Sequence, residues 1–297
     1  MKQRSTREIL AAIGGDSLNP KARKKALVKA LLEAGPLPYL INLGKPIPGY
    51  RRFLNHCLPS WLKYRGVYAS FEEARANAPK NVRLGFDHDE IAFAYKDYGV
   101  RPSDYPAAFW LREALRDGAT VFDLGGSVGN LFYLWEDYFE YPGNVRWLIC
   151  EVPAVARAGH RLAQEKGENR LRFTSRFEEA DGSNCLLASG CLQLIETSIA
   201  DTLRHLACPP QHLVLNRLPL HSRFECITLL NIRWAACPCR VFQRDRFIGE
   251  LESLGYVVVD AWAVPDQSCW IPFYPEYSVE SYTGLYLRRA KRKALAA

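Results

Sequence analysis

The chain has 297 residues, 48% of them hydrophobic, which is enough for one large α/β domain with an appendage. It holds no run of eighteen apolar residues, so no membrane-spanning helix is expected, and the basic opening Met1–Arg7 lacks the apolar stretch of a secretory leader. The net charge of +7 sits at the ends: residues 1–50 carry nine Lys/Arg against three acids and residues 288–297 five against none, leaving 51–287 at −4. A mildly acidic body counts against nucleic acid as the partner, because a protein that grips a phosphate backbone surrounds its working site with basic surface. Nine cysteines, odd in number and with Cys237-Pro238-Cys239 as the one close pair, point to reduced buried thiols in the cytoplasm and not to a disulfide framework or a metal site.

In chain order, Pro20–Ala34 reads as a basic amphipathic helix stopped by Pro36 and Pro38, and residues 35–64 as a proline-punctuated aromatic connector. Helices are expected over Phe71–Asn77, Asp89–Tyr98 (with the stripe Phe93, Tyr95, Tyr98) and Ala107–Arg116. These pieces make residues 1–118 a basic tail and helical cap. From Thr120 strands and helices alternate, the pattern of a doubly wound, mostly parallel sheet with helices on both faces. The expected strands are Thr120–Leu124, Val145–Cys150, Leu171–Phe173, Cys185–Ala188, His212–Asn216, Tyr256–Trp262 and Tyr282–Arg288. Helices are expected over Pro153–Lys166 and over Arg244–Leu254, the latter closed by Gly255. The core is therefore residues 119–290, followed by a basic tail, 291–297.

The most informative stretch is Val121-Phe122-Asp123-Leu124-Gly125-Gly126-Ser127-Val128-Gly129: an apolar strand, an acid, then a glycine-rich turn into a helix. The glycines allow close backbone approach to a ligand. Asp123 stands where a pyrophosphate would be repelled and a cationic amino-acid group welcomed. One strand–helix–strand unit later, Glu151 ends the second strand, where an acid in doubly wound sheets accepts hydrogen bonds from ribose hydroxyls. A dinucleotide fingerprint wants G-x-G-x-x-G; here the order is Gly125-Gly126-x-x-Gly129. Candidate cofactor residues are Asp123, Gly125, Gly126, Ser127, Gly129, Glu151, Ser189 and Gly190, with Ser175 and Phe177 beside the adenine. A valine at position 125 is expected to block the cofactor while leaving the sheet folded.

With these motifs the chain resembles class I S-adenosylmethionine-dependent methyltransferases. A narrower likeness runs from about Arg65 to Arg289, through Gly66–Ala74, Ala188-Ser189-Gly190-Cys191-Leu192-Gln193 and Ile271–Tyr277, to a family of bacterial methyltransferases with no settled substrate. The chain departs from that family's usual Gly-Tyr-Asp at Gly85-Phe86-Asp87. The resemblance implies a Rossmann-like seven-stranded sheet that ends in an antiparallel hairpin, S-adenosylmethionine as methyl donor, and an N-terminal appendage over the cofactor cleft.

On the acceptor side, Gln193 after the fourth core strand, and Arg217 and His221 after the fifth, are the catalytic candidates. Gln193 would orient the acceptor, Arg217 bind an acidic group and His221 serve as general base. Glu196 is a weaker candidate. The loop Cys269–Tyr277 is dense in aromatics and is expected to pack on the appendage, wall the acceptor pocket, or both. The expected activity is methyl transfer to a small molecule or glycan. A nicotinamide-dependent oxidoreductase and a binding protein without turnover are the alternatives, and acceptor and oligomeric state stay open.

Overall fold

Along β2 (Thr120–Leu124), Val121 packs into one apolar cluster while Phe122 and Leu124 pack into another on the opposite face. The same alternation holds for Cys185 and Leu187 against Leu186 and Ala188 in β5 (Cys185–Ser189). Strands buried on both faces read as continuous apolar runs, which is why these segments carry no polar stripe. With β3 (Arg146–Cys150), β4 (Leu171–Thr174), β6 (His212–Leu218), β10 (Tyr256–Val264) and β11 (Tyr282–Arg289) they form one sheet in the order β10-β11-β6-β5-β2-β3-β4. Pairing is parallel from β4 through β6; β11 runs antiparallel to both of its neighbours.

The helices Asp104–Ala114, Asn130–Trp135 and Pro153–Lys166 contribute to the cluster of Leu111, Trp135, Trp147 and Leu187 on one face. The helices Ile199–Arg204 and Arg244–Glu252 contribute to that of Leu186, Leu203, Leu213 and Leu251 on the other. This is a doubly wound seven-stranded sheet closed by an antiparallel hairpin, the architecture that the resemblance implies. The computed structural model describes residues 62–80, 82–88, 90, 99–232 and 235–290, with single positions at 47, 49, 50 and 53. The expected helix at 20–34, that at 89–98 except for Glu90, and the tail 291–297 lie outside these residues. No helix among the described residues is long and apolar enough to cross a membrane.

The appendage is not wholly helical. Tyr64–Tyr68 forms β1, which joins β7 (Leu220–His221), β8 (Cys226–Ile232) and β9 (Ala235–Gln243) in a second sheet of order β1-β8-β9-β7. An unbroken run such as Cys226–Ile232 cannot be told from a buried helix by periodicity, and its outer partner β1 lies far away in sequence. The helix Phe71–Ala76, whose Glu73 N–H donates to Ser70 Oγ at 3.0 Å, covers one side of this sheet with Phe71 and Ala74. Tyr64, Leu230, Cys239 and Val241 cluster with Ile271, Phe273 and Tyr274 of the aromatic loop. The second sheet thus stands on the loop between β10 and β11. A second apolar cluster, in which Ala235 meets Val128 and Val155, ties its β9 end to the glycine turn.

Candidate active site

The carboxyl ends of β2, β3, β5 and β6 bring the glycine turn, Glu151, Ser189–Gly190 and Arg217 to one edge of the parallel sheet, where open α/β sheets bind ligands. The turn is left-handed at Gly125 (φ 69°), Ser127 (φ 57°) and Gly129 (φ 98°). Glu151 closes it from beneath: Oε1 accepts the Ser127 N–H and Oε2 the Val152 N–H, both at 3.0 Å. Burial pushes the Glu151 carboxyl up, and those two N–H donors oppose the shift. Each oxygen keeps a second lone pair, so the pair suits two further hydroxyl donors such as a ribose diol. The Ser127 hydroxyl is buried with no partner among the described residues, and a buried polar group without a partner invites a ligand contact.

Asp123 lies under the turn and does not face the cleft. It is 1% exposed and accepts from Trp147 Nε1 at 3.0 Å. A Cβ on Gly126 would stand 2.4 Å from its Oδ2. Its carboxylate is thus separated from the cleft by the backbone of the turn. Burial pushes its pKa up to about 7, with the Trp147 N–H opposing and the Glu151 charge adding. Gly125 likewise answers to the protein's own packing: a Cβ there would lie 2.4 Å from that of Cys191. A valine at 125 is thus expected to disturb the fold as well as ligand binding, which corrects the expectation of an intact sheet.

A pH prediction follows from Asp123. Its folded pKa stands above the unfolded value of 3.8, so its contribution to stability is fully present below about pH 4 and lost as pH rises through about 7. Asp123→Asn keeps an acceptor for Trp147 but cannot ionise. In urea titrations the variant should gain on the wild type between pH 5 and 8, by on the order of 2–4 kcal/mol. A constant difference across that range would mean that Asp123 is already ionised at pH 5 in the folded protein.

At the other side of the edge, Arg217 is 5% exposed, left-handed in backbone (φ 62°), and ion-paired to the fully buried Asp104, Nη2 to Oδ1 at 2.6 Å. Burial raises the Asp104 pKa to about 6 and lowers that of Arg217 to about 10, so both are charged near neutrality. Asn216 ties three elements together. Its Nδ2 donates to Ser103 O at 3.1 Å and Ser189 Oγ at 3.3 Å, and its Oδ1 accepts from Trp262 Nε1 at 3.1 Å. Gln193 is 6% exposed; its Nε2 donates to Gly190 O at 3.0 Å, which leaves Oε1 buried without a partner among the described residues.

His221 sits in β7, outside the core sheet. Its Nδ1 accepts the N–H groups of Arg223 at 3.0 Å and Phe224 at 2.8 Å. Burial, then the charges of Arg223 and Arg244, lower its pKa, while a hydrogen bond to the Glu276 backbone opposes them. With the Nδ1 lone pair shared between two amides, the ring organises the 221–224 turn. Arg217 and His221 thus differ from their sequence expectation: one is locked in a buried pair, the other in a turn.

Ser175 flanks the glutamate, its hydroxyl donating to Glu151 O at 2.8 Å, and Phe177 packs edge-on against Phe122 at 5.4 Å. Glu196 pairs with Arg75 of the appendage at 2.6 Å. In the aromatic loop Ile271, Phe273 and Tyr274 are buried against the second sheet, so the packing half of the expectation holds. Ser103 and Asp104 have no role in the sequence reading, and Asp87 enters it only as part of Gly85-Phe86-Asp87. Asp104 carried a faint signal as the acid opening a helix.

No family model matches the chain, and no curated protein matches it. Solved structures do. A 1,6-didemethyltoxoflavin-N1-methyltransferase of Burkholderia thailandensis, with its substrate and S-adenosylhomocysteine bound, is 20% identical over 72% of this chain and 95% of its own, at a TM-score of 0.46. The glycopeptide N-methyltransferase MtfA, complexed with S-adenosylmethionine, is 14% identical over 66% and 96% at 0.45. A magnesium protoporphyrin IX methyltransferase of Synechocystis PCC 6803 is 13% identical over 69% and 93% at 0.44. At these scores the likeness carries no weight for activity, and the functional reading below stands on the site itself.

Proposed function

We propose that this protein is a methyltransferase that takes S-adenosylmethionine as donor and a small molecule or glycan as acceptor. The observation that carries the reading is the pair of carboxylates at the glycine turn. Glu151 already holds the Ser127 N–H, and Asp123 lies buried beneath Gly126. A dinucleotide needs those amides for its pyrophosphate. The Ser127 N–H is already taken and the charge of Asp123 opposes a phosphate, while an acid at Glu151 suits the ribose of either ligand. A nucleoside with a cationic amino-acid tail meets the same field favourably. Glu151 would hold the ribose, and the Ser127 hydroxyl and the turn's backbone would line the rest. Bound there, the cofactor would supply an activated methyl group.

The chain's own residues would then work mainly by placement. Holding two reactants in line can supply up to ~7–11 kcal/mol of a barrier, and an acceptor that needs no deprotonation needs no base. Ser189 and Gly190 are small residues at the end of β5, and Gln193 Oε1, buried without a partner among the described residues, would orient the acceptor. The division we propose is a core of 119–218 and 244–290, capped by 64–88 together with 219–243. The buried thiols suit a reducing compartment, which favours the cytoplasm.

Calorimetry with S-adenosylhomocysteine, S-adenosylmethionine and NAD+ tests the cofactor. Binding of the first two without the third is expected; binding of NAD+ alone would replace this reading with the oxidoreductase.

A further inference from the structure

The stretch Gly85-Phe86-Asp87 is singled out by the sequence and has so far no task. Val152 is the N-cap of the helix Pro153–Lys166 and offers no side-chain hydrogen bond, and Pro153 follows it. The Ala154 N–H would be an orphan of that first turn. It is taken instead by Asp87 Oδ1 at 2.8 Å, from 67 residues earlier in the chain. A carboxylate at this place also meets the favourable end of the helix dipole. Phe86, half-buried, packs on the cluster of Val128, Val155 and Ala235, which joins the glycine turn to the helix behind Glu151. Where the resembling family carries tyrosine, a ring without hydroxyl meets an apolar surface.

Upstream, the stretch is fastened to the second sheet: Gly85 N–H donates to Ala236 O at 2.9 Å and Ala236 N–H to Arg83 O at 2.8 Å. Glu90 braces both sides, bonding Arg83 at 2.7 Å and His88 at 2.8 Å. The segment therefore bridges β9 and the two elements that hold Glu151. Its attachment on the far side is the part-buried hydrogen bond from Ala154 to Asp87 and the ring of Phe86.

We propose that Gly85–Asp87 is a clasp across the cleft at Glu151, and that release of Asp87 from Ala154 sets how fast a nucleoside is taken up and let go. The proposal rests on the cofactor reading above. The clasp holds the second sheet over the turn when shut. When it opens, the Ser127 and Val152 amides and the Glu151 carboxylate become accessible. Asp87 touches no ligand; it is a positioning residue.

Two measurements test this. In stopped-flow binding of S-adenosylhomocysteine, Asp87→Ala should raise the association and dissociation rates together, roughly five- to tenfold, the usual worth of a lost helix cap. Kd should then move less than about twofold, and Asp87→Asn, which keeps an acceptor oxygen, should stay near wild type. Unchanged rates would overturn the clasp, as would faster dissociation alone, since that describes a static contact. Hydrogen exchange on the free protein is independent of any ligand. Asp87→Ala should speed exchange at Ser127 and Val152 by a similar factor and leave the β2 and β5 amides unchanged. No change at those two amides also overturns the clasp. Accelerated exchange in a protein that binds no S-adenosylhomocysteine would leave the clasp standing and reject the cofactor.

Discussion

Arg217→Ala is expected to lower folding stability by about 3–5 kcal/mol, because it leaves the buried carboxylate of Asp104 without its counter-charge. Asp104 is fully buried and the pair closes at 2.6 Å, so water cannot replace the guanidinium. The loss should depend on pH. Asp104 titrates near 6 in the folded protein against 3.8 unfolded, so its contribution to stability is present below about pH 4 and lost as pH rises through about 6. At pH 8 the stranded Asp104 is charged and the penalty largest; at pH 5 it is protonated and the penalty shrinks. Asp104→Asn removes the charge, so the double variant should lose less than the sum of the two single ones, the sign of direct coupling. Urea unfolding at pH 5 and 8 reads all three. A loss under 1 kcal/mol, combined with a collapse of methyl transfer, would return Arg217 to the acceptor.

Glu151→Ala is expected to weaken S-adenosylhomocysteine by at least about tenfold, since a hydrogen bond to a charged group is worth ~1.5–3 kcal/mol. The glutamate also holds two backbone amides, so the variant alone does not separate a ribose contact from a loosened turn. A ligand cycle does. Wild type should lose affinity for an analogue lacking the ribose hydroxyls, and the variant should lose no more on that change. Equal losses in both proteins would place the hydroxyls elsewhere.

The strands of the core, the helix Pro153–Lys166 and the glycine turn were legible in the sequence because their signals are local. A βαβ unit carries its apolar runs, its turn and its acid within some thirty residues. Asp123 is the last but one residue of β2, opposite Ile149, and Glu151 follows the end of β3. The helix expected over Pro153–Lys166 spans those residues in the structure. What lies just past a strand end is another matter. Arg217 turns left-handed (φ 62°) and reaches Asp104, 113 residues away, while His221 folds back on the amides of its own turn. Either residue type would have suited an acceptor site; which way each points depends on one dihedral angle and a distant partner.

A doubly wound sheet with an acid-flanked glycine turn follows from local pattern alone, because burial on both faces and the needs of a tight turn are written in neighbouring residues. Tertiary structure alone decided that β1 pairs with β8, that Asp123 is sealed under Gly126, and that Asp87 caps a helix 67 residues further on. These contacts join segments whose local patterns allow many partners, and only the packed core selects among them.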